Sequence, residues 1–195
     1  MGESIMSLFL RLSVGKGEDF LTYSLTLSSI VALIAGGLAV TNVSTSFFNT
    51  GVPSSFEVLV QSLSMELRNL LLAWMVPIIV LLIVSSFTLA LRSGQLFFQT
   101  ASVLLYTGST RHKIRILLLM RLILLSLTSW LFGWIGGVVA SQIAFRFVSL
   151  ATGSPFLIPF LYPSDLVTLA IITTGSVFAG YFVSVAGLAR EVTAF

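Results

Sequence analysis

Four stretches without a single charged residue, running from Phe20 to about Val40, Asn69 to Leu91, Leu122 to about Phe145 and Leu166 to Ala189, dominate this sequence. Each is about the 20 apolar residues that a helix needs to cross a hydrocarbon core of roughly 30 Å. Inside a bilayer the backbone must satisfy its own donors and acceptors, so a helix is the form such stretches take. The chain is 56% hydrophobic and 9% charged, with a mean hydropathy of +1.06, which is too apolar for a water-soluble domain of 195 residues. An all-α integral membrane protein with four transmembrane helices is therefore predicted.

Lysine and arginine orient the spans. With the N-terminus in the cytoplasm, Arg11, Lys16, Arg92, Arg111, Lys113, Arg115, Arg121 and Arg190 fall inside, and Arg68 and Arg146 outside, which is eight of the ten basic residues against two. Both termini are thus expected in the cytoplasm of a multi-pass cell-membrane (plasma or inner membrane) protein. The predicted order is a cytoplasmic interfacial helix over 1–19, span 1 over 20–41, an exoplasmic loop and helix over 42–67 and span 2 over 68–91. A cytoplasmic coupling region over 92–116, span 3 over 117–146, an exoplasmic proline-rich loop over 147–165, span 4 over 166–189 and a tail over 190–195 complete it. The net charge of +3 sits at span ends and not on one polar face, so no nucleic acid is expected as a partner.

The segment before span 1 places Ile5, Leu8, Phe9 and Leu12 at helical spacing opposite Glu3, Ser7 and Arg11, the pattern of a helix lying in the membrane interface, with a frayed terminus as the alternative. Span 1 is too long for a signal peptide, and Glu18 and Asp19 precede it, so it is expected to be retained. Ser54-Ser55-Phe56-Glu57 reads as a capping box that starts a short helix with one apolar face. Pro155, Pro159 and Pro163, set among apolar residues, predict a stiff loop at the interface that faces lipid or forms a partner or substrate surface. Pro77 should kink span 2.

Three spans carry small residues four apart: Ser28, Ala32 and Gly36; Gly133, Gly137 and Ser141; Ser176, Gly180 and Ser184. Such stripes allow helix backbones to approach closely, either within the bundle or against a second chain. Arg121 and Arg146 stand near span ends, where they snorkel to headgroups or pair with a partner chain. Asn42-Val43-Ser44 is a candidate glycosylation sequon on the predicted outer side.

The chain has no cysteine, and its one histidine, His112, lies in a basic loop. No acidic pair, serine-histidine pair or His-Glu-x-x-His motif sits within the spans, so no catalytic or metal-binding residues and no bound cofactor are expected, and the chain is not predicted to be an enzyme.

Between spans 2 and 3, Gly108 should end the extension of span 2, Ser109 or Thr110 should cap a new helix, and Arg111, Lys113 and Arg115 should project from it beside His112. Leu104 to Ile114, followed by Leu117-Leu118, resembles the LLRALGAS-type segment of FtsX-like permeases, the membrane subunits of type VII (MacB-like) ABC transporters. Gly133-Trp134-Ile135-Gly136-Gly137 is similar to the glycine-rich continuation of that family, and Ala189-Arg190 to its usual exit; the likeness covers about residues 20 to 190. Where family members carry an Arg-Glu pair this chain has Gln99 and Thr100. Arg121 replaces an acidic residue, and about 25 residues stand in place of a large extracellular domain.

The resemblance implies a permease subunit that pairs with a second permease subunit, as homodimer or heterodimer. It also implies docking of a cytoplasmic ABC ATPase on a coupling helix made of Gly108, Ser109, Thr110, Arg111, His112, Lys113 and Arg115. ATP and Mg would be bound by that partner, since this chain has no phosphate-binding loop. The output would be transport or mechanical transmission, with an exoplasmic partner or substrate-binding protein and membrane lipid as further contacts. The alternatives are a non-transporting scaffold or assembly subunit of a larger membrane complex, and a channel or carrier acting alone.

Overall fold

The computed structural model of the protein describes residues 17–49, 57–106, 110–153 and 158–192. The predicted interfacial helix up to Lys16, Ser54 to Phe56, Gly108, Ser109, Pro155 and the end of the tail lie outside them. The described residues form four α-helices and no strand: α1 (Gly17–Asn49), α2 (Glu57–Tyr106), α3 (Arg111–Thr152) and α4 (Pro163–Val192). All four are long and apolar enough to cross a membrane.

Each helix outruns the apolar stretch that predicts it. The 50 residues of α2 amount to about 75 Å at 1.5 Å per residue, over twice a hydrocarbon core. Nothing between Glu57 and Arg68 breaks a helix, so the short exoplasmic helix is the first part of α2 and not a separate element. Pro77 lies inside α2 without ending it. The same holds after the basic loop: no glycine or proline separates Arg111 from Leu117, so the expected coupling helix is the first two turns of α3. Helix α3 stops at Thr152, where Gly153 turns left-handed with φ +66°, the conformation that glycine adopts at little cost past a helix end.

The helices contribute segments to two compact units. The first holds residues 17–27, 83–106, 110–129 and 171–192. Leu118 and Phe97 are almost wholly buried in it, and Leu117, Leu122 and Leu125 are buried as well. The second holds residues 28–49, 57–82, 130–153 and 158–170, with Val31, Ile34, Leu82, Leu169 and Pro159 at its centre.

Within the second unit α1 and α3 meet through backbone. A Cβ built on Gly133 would lie 2.5 Å from Val31 Cβ and 3.0 Å from the Ser28 carbonyl oxygen. One on Gly137 would collide with the Ala32 carbonyl oxygen and come within 2.9 Å of Gly36 N. The order 28 to 36 against 133 to 137 makes the pair parallel. In the first unit the same device joins α2 and α4: a Cβ on Gly180 would lie 2.5 Å from Ala90 Cβ and 2.9 Å from Phe87 O, and one on Gly94 would lie 2.6 Å from Ser184 Oγ. In lipid, where apolar side chains gain little by leaving the solvent, such close approach supplies the packing.

Candidate functional site

The basic start of α3 is built by a cap and a stripe. The Thr110 carbonyl accepts the Ile114 N–H at 3.3 Å, so Thr110 is the N-cap and Arg111 the first helical residue. Ile114, Leu117 and Leu118 recur at helical spacing and are buried, which leaves Thr110, His112, Lys113 and Arg115 exposed. The α2 side chain of Arg92 is exposed as well.

The charge is placed against the helix. The first turn of an α-helix carries unpaired N–H groups and the positive end of the macrodipole, so cations there cost about 0.3–1 kcal/mol each. Arg111 and Lys113 occupy that turn, Arg115 follows, and the turn holds no acidic residue. A locally unfavourable arrangement on an exposed turn is a mark of selection for something other than folding.

The small-residue stripes lie elsewhere. Ser28, Ala32 and Gly36 stand opposite Gly133 and Gly137 within the second unit, and Ser141 is buried on α3, its hydroxyl donating to the Val138 carbonyl at 2.8 Å. Ser176, Gly180 and Ser184 line the buried side of α4 in the first unit. The helix contact therefore uses these stripes inside the chain. Hydroxyls supplement it: Ser24 Oγ and Thr128 Oγ1 are 3.1 Å apart, and Ser126 Oγ and Thr174 Oγ1 also 3.1 Å.

Two further clusters were not legible in the residues as a string. Asn42, picked out as a sequon, donates through Nδ2 to Asp165 Oδ2 at 2.9 Å and to the Phe160 carbonyl at 3.2 Å. Asp165 Oδ2 in turn accepts the Tyr162 N–H at 3.1 Å, while Tyr162 O caps α4 and Pro163 takes its first position. The atom to which a glycan would be attached is thus committed to the fold. The second is Arg121, only 5% exposed inside the first unit, whereas Arg146 is exposed.

A narrow crevice between α3 and α4 in the first unit, lined by Leu122, Ser126, Thr174, Val177 and Tyr181 among others, encloses about 10 Å³, less than a substrate-sized cavity. Among the described residues no group of three or more histidines or acidic side chains gathers as a metal site. Comparison with protein-family models, with curated proteins and with solved structures finds no match for this chain.

Proposed function

We propose that the protein is a membrane-spanning permease subunit of an ABC transporter-type complex, which couples ATP hydrolysis by a separate cytoplasmic ATPase to transport or to force transmission across the membrane. The observation that carries this is the cationic first turns of α3, exposed and set against the helix dipole, next to a helix start capped by Thr110. Such a turn offers cations to an acidic groove, and one α3 helix runs from it through a length sufficient to cross the membrane. In this reading α3, which begins in the docking surface and continues as a span, is the element that receives the stroke.

In this reading both termini and the basic elbow are cytoplasmic, the bilayer is the cell membrane, and a second permease subunit completes the complex. The test is co-purification. Lys113→Glu with Arg115→Glu should release an ATPase subunit that accompanies the native complex, or abolish its stimulation, while leaving the membrane yield of this chain unchanged. An ATPase retained with full activity on that variant would refute the docking surface. The same purified complex, if it holds no ATPase at all, would point to a scaffold.

A further inference from the structure

The hydroxyls of Ser126 on α3 and Thr174 on α4 hydrogen-bond to each other at 3.1 Å in the wall of the crevice between the two helices. Its other walls are the apolar side chains of Leu119, Leu122, Ile123, Val177 and Phe178 and the ring of Tyr181, so it suits hydrocarbon better than a polar solute. The crevice encloses about 10 Å³, room for a group about as wide as a water molecule, which a methylene chain is and a fused ring system is not. Ile123 is exposed at its edge, and both helices are long and apolar enough to cross a membrane, so the crevice opens to lipid. The α3 wall continues towards the helix start. Steps of four, three and four residues back from Ser126 reach Leu122, Leu119 and Arg115 on one side of the helix, and three more reach His112. Arg115 and His112 are exposed. An arginine side chain leans towards the start of its helix, here away from the crevice and towards the headgroups. From Arg115 to Ser126 the helix rises about 16 Å, close to half of a roughly 30 Å hydrocarbon core and so to the depth of one leaflet. Lys113 lies about 200° round the helix from Arg115, on the other side.

A cation at the surface followed, one leaflet deep, by an apolar slot has the outline of a phospholipid. From this geometry we infer that the crevice between α3 and α4 holds one acyl chain of an anionic phospholipid whose phosphate rests on Arg115, beside His112. The first turn of α3 has no acidic residue to offset these groups, so a headgroup with a net negative charge complements them better than a zwitterionic one. Lys113, on the far side of the helix, takes no part. The inference rests on the crevice and the stripe that leads into it and needs no ATPase partner, so it stands or falls apart from the proposed function.

Photolabelling tests it, with the full chain alone in phosphatidylcholine nanodiscs that carry a trace of phosphatidylglycerol bearing a diazirine in its acyl chain. Mass spectrometry should place the label on residues 119–126 of α3 and 174–181 of α4, about fivefold above the same probe on a phosphatidylcholine headgroup, the factor that one cation at the membrane surface supplies. Arg115→Ala should bring the two probes level, whereas Lys113→Ala should change the ratio far less. Ile123→Trp, a substitution at the exposed edge, should fill the crevice and remove the label from 174–181; should that variant not fold, Arg115→Ala alone decides. Equal labelling by the two probes, or a preference that survives Arg115→Ala, would overturn the site. So would label spread evenly onto the exposed side chains of α2 around Trp74 and Val76, the mark of lipid that merely surrounds the protein. If Arg115→Glu releases an ATPase from the native complex and leaves the labelling unchanged, Arg115 belongs to the docking surface and the lipid site is refuted; unchanged labelling in Lys113→Glu beside a lost ATPase leaves both standing.

Discussion

Asn42 of α1 donates one amide nitrogen to both Asp165 Oδ2 and the Phe160 carbonyl, at 2.9 and 3.2 Å, and so fastens the connection before α4 to a helix 123 positions earlier in the chain. Asp165 sits in the first turn of α4, where a carboxylate also favours the helix dipole. Removing either partner takes one hydrogen bond from a half-buried polar group, although Asn42 keeps the Phe160 carbonyl and Asp165 keeps the Tyr162 N–H. Asn42→Ala and Asp165→Ala should each destabilise the protein by about 1–3 kcal/mol, read from thermal unfolding in detergent, and the double variant should cost less than the sum of the two.

The same amide bears on modification. Asn42 lies within α1, and its nitrogen is already hydrogen-bonded, so expression in a host that glycosylates outward-facing sequons should give no mass shift at Asn42. Asp165→Ala should not create one either, because the helical backbone at Asn42 persists. A glycan found on the wild-type protein by mass spectrometry would contradict the hydrogen-bonded arrangement.

The described glycines within helices divide into those that a methyl group would crowd and those, Gly136 and Gly175, that have room. Gly137→Ala and Gly180→Ala force a Cβ against backbone or Cβ atoms that cannot swing away, and each should cost about 1–3 kcal/mol. Gly175→Ala meets nothing within 4 Å and should instead stabilise α4 by about 0.5–1 kcal/mol, since alanine orders more easily in a helix. Chemical denaturation of the three variants side by side separates the two classes.

Interhelical hydroxyl pairs in membrane bundles are worth only about 0.6 kcal/mol on average. Ser126→Ala, Thr174→Val and their combination should yield a coupling energy of that size for the pair at 3.1 Å. A coupling several times larger would mean that the bundle relaxes when one hydroxyl is lost.

Sidedness can be read with single cysteines on the cysteine-free chain. Lys113→Cys should react with a membrane-impermeant maleimide only after the cytoplasmic face is opened, and Ile158→Cys, exposed before α4, should react in intact cells. The reverse pattern would invert the proposed topology.

The residues alone determined that four helices form and where their apolar middles lie, because a charge-free run of about twenty residues has one stable arrangement in a bilayer. They also narrowed the helix start to Ser109 or Thr110, since capping is local chemistry, and the structure starts α3 after Thr110. Helix ends were less legible: α2 and α3 run on past their apolar stretches because polar residues such as Gln61 and His112 do not break a helix. Which stripe meets which was decided only by tertiary packing. Gly133 and Gly137 show small size in the string, but that they receive α1, and that Gly180 receives α2, depends on how the helices are arranged around one another. The same is true of Arg121 and Asn42. Arg121, read from sequence as a cation that snorkels or pairs with a partner chain, is buried by the fold, and Asn42, read as a sequon, is tied to Asp165 because a polar side chain in an apolar bundle takes the partner within its reach.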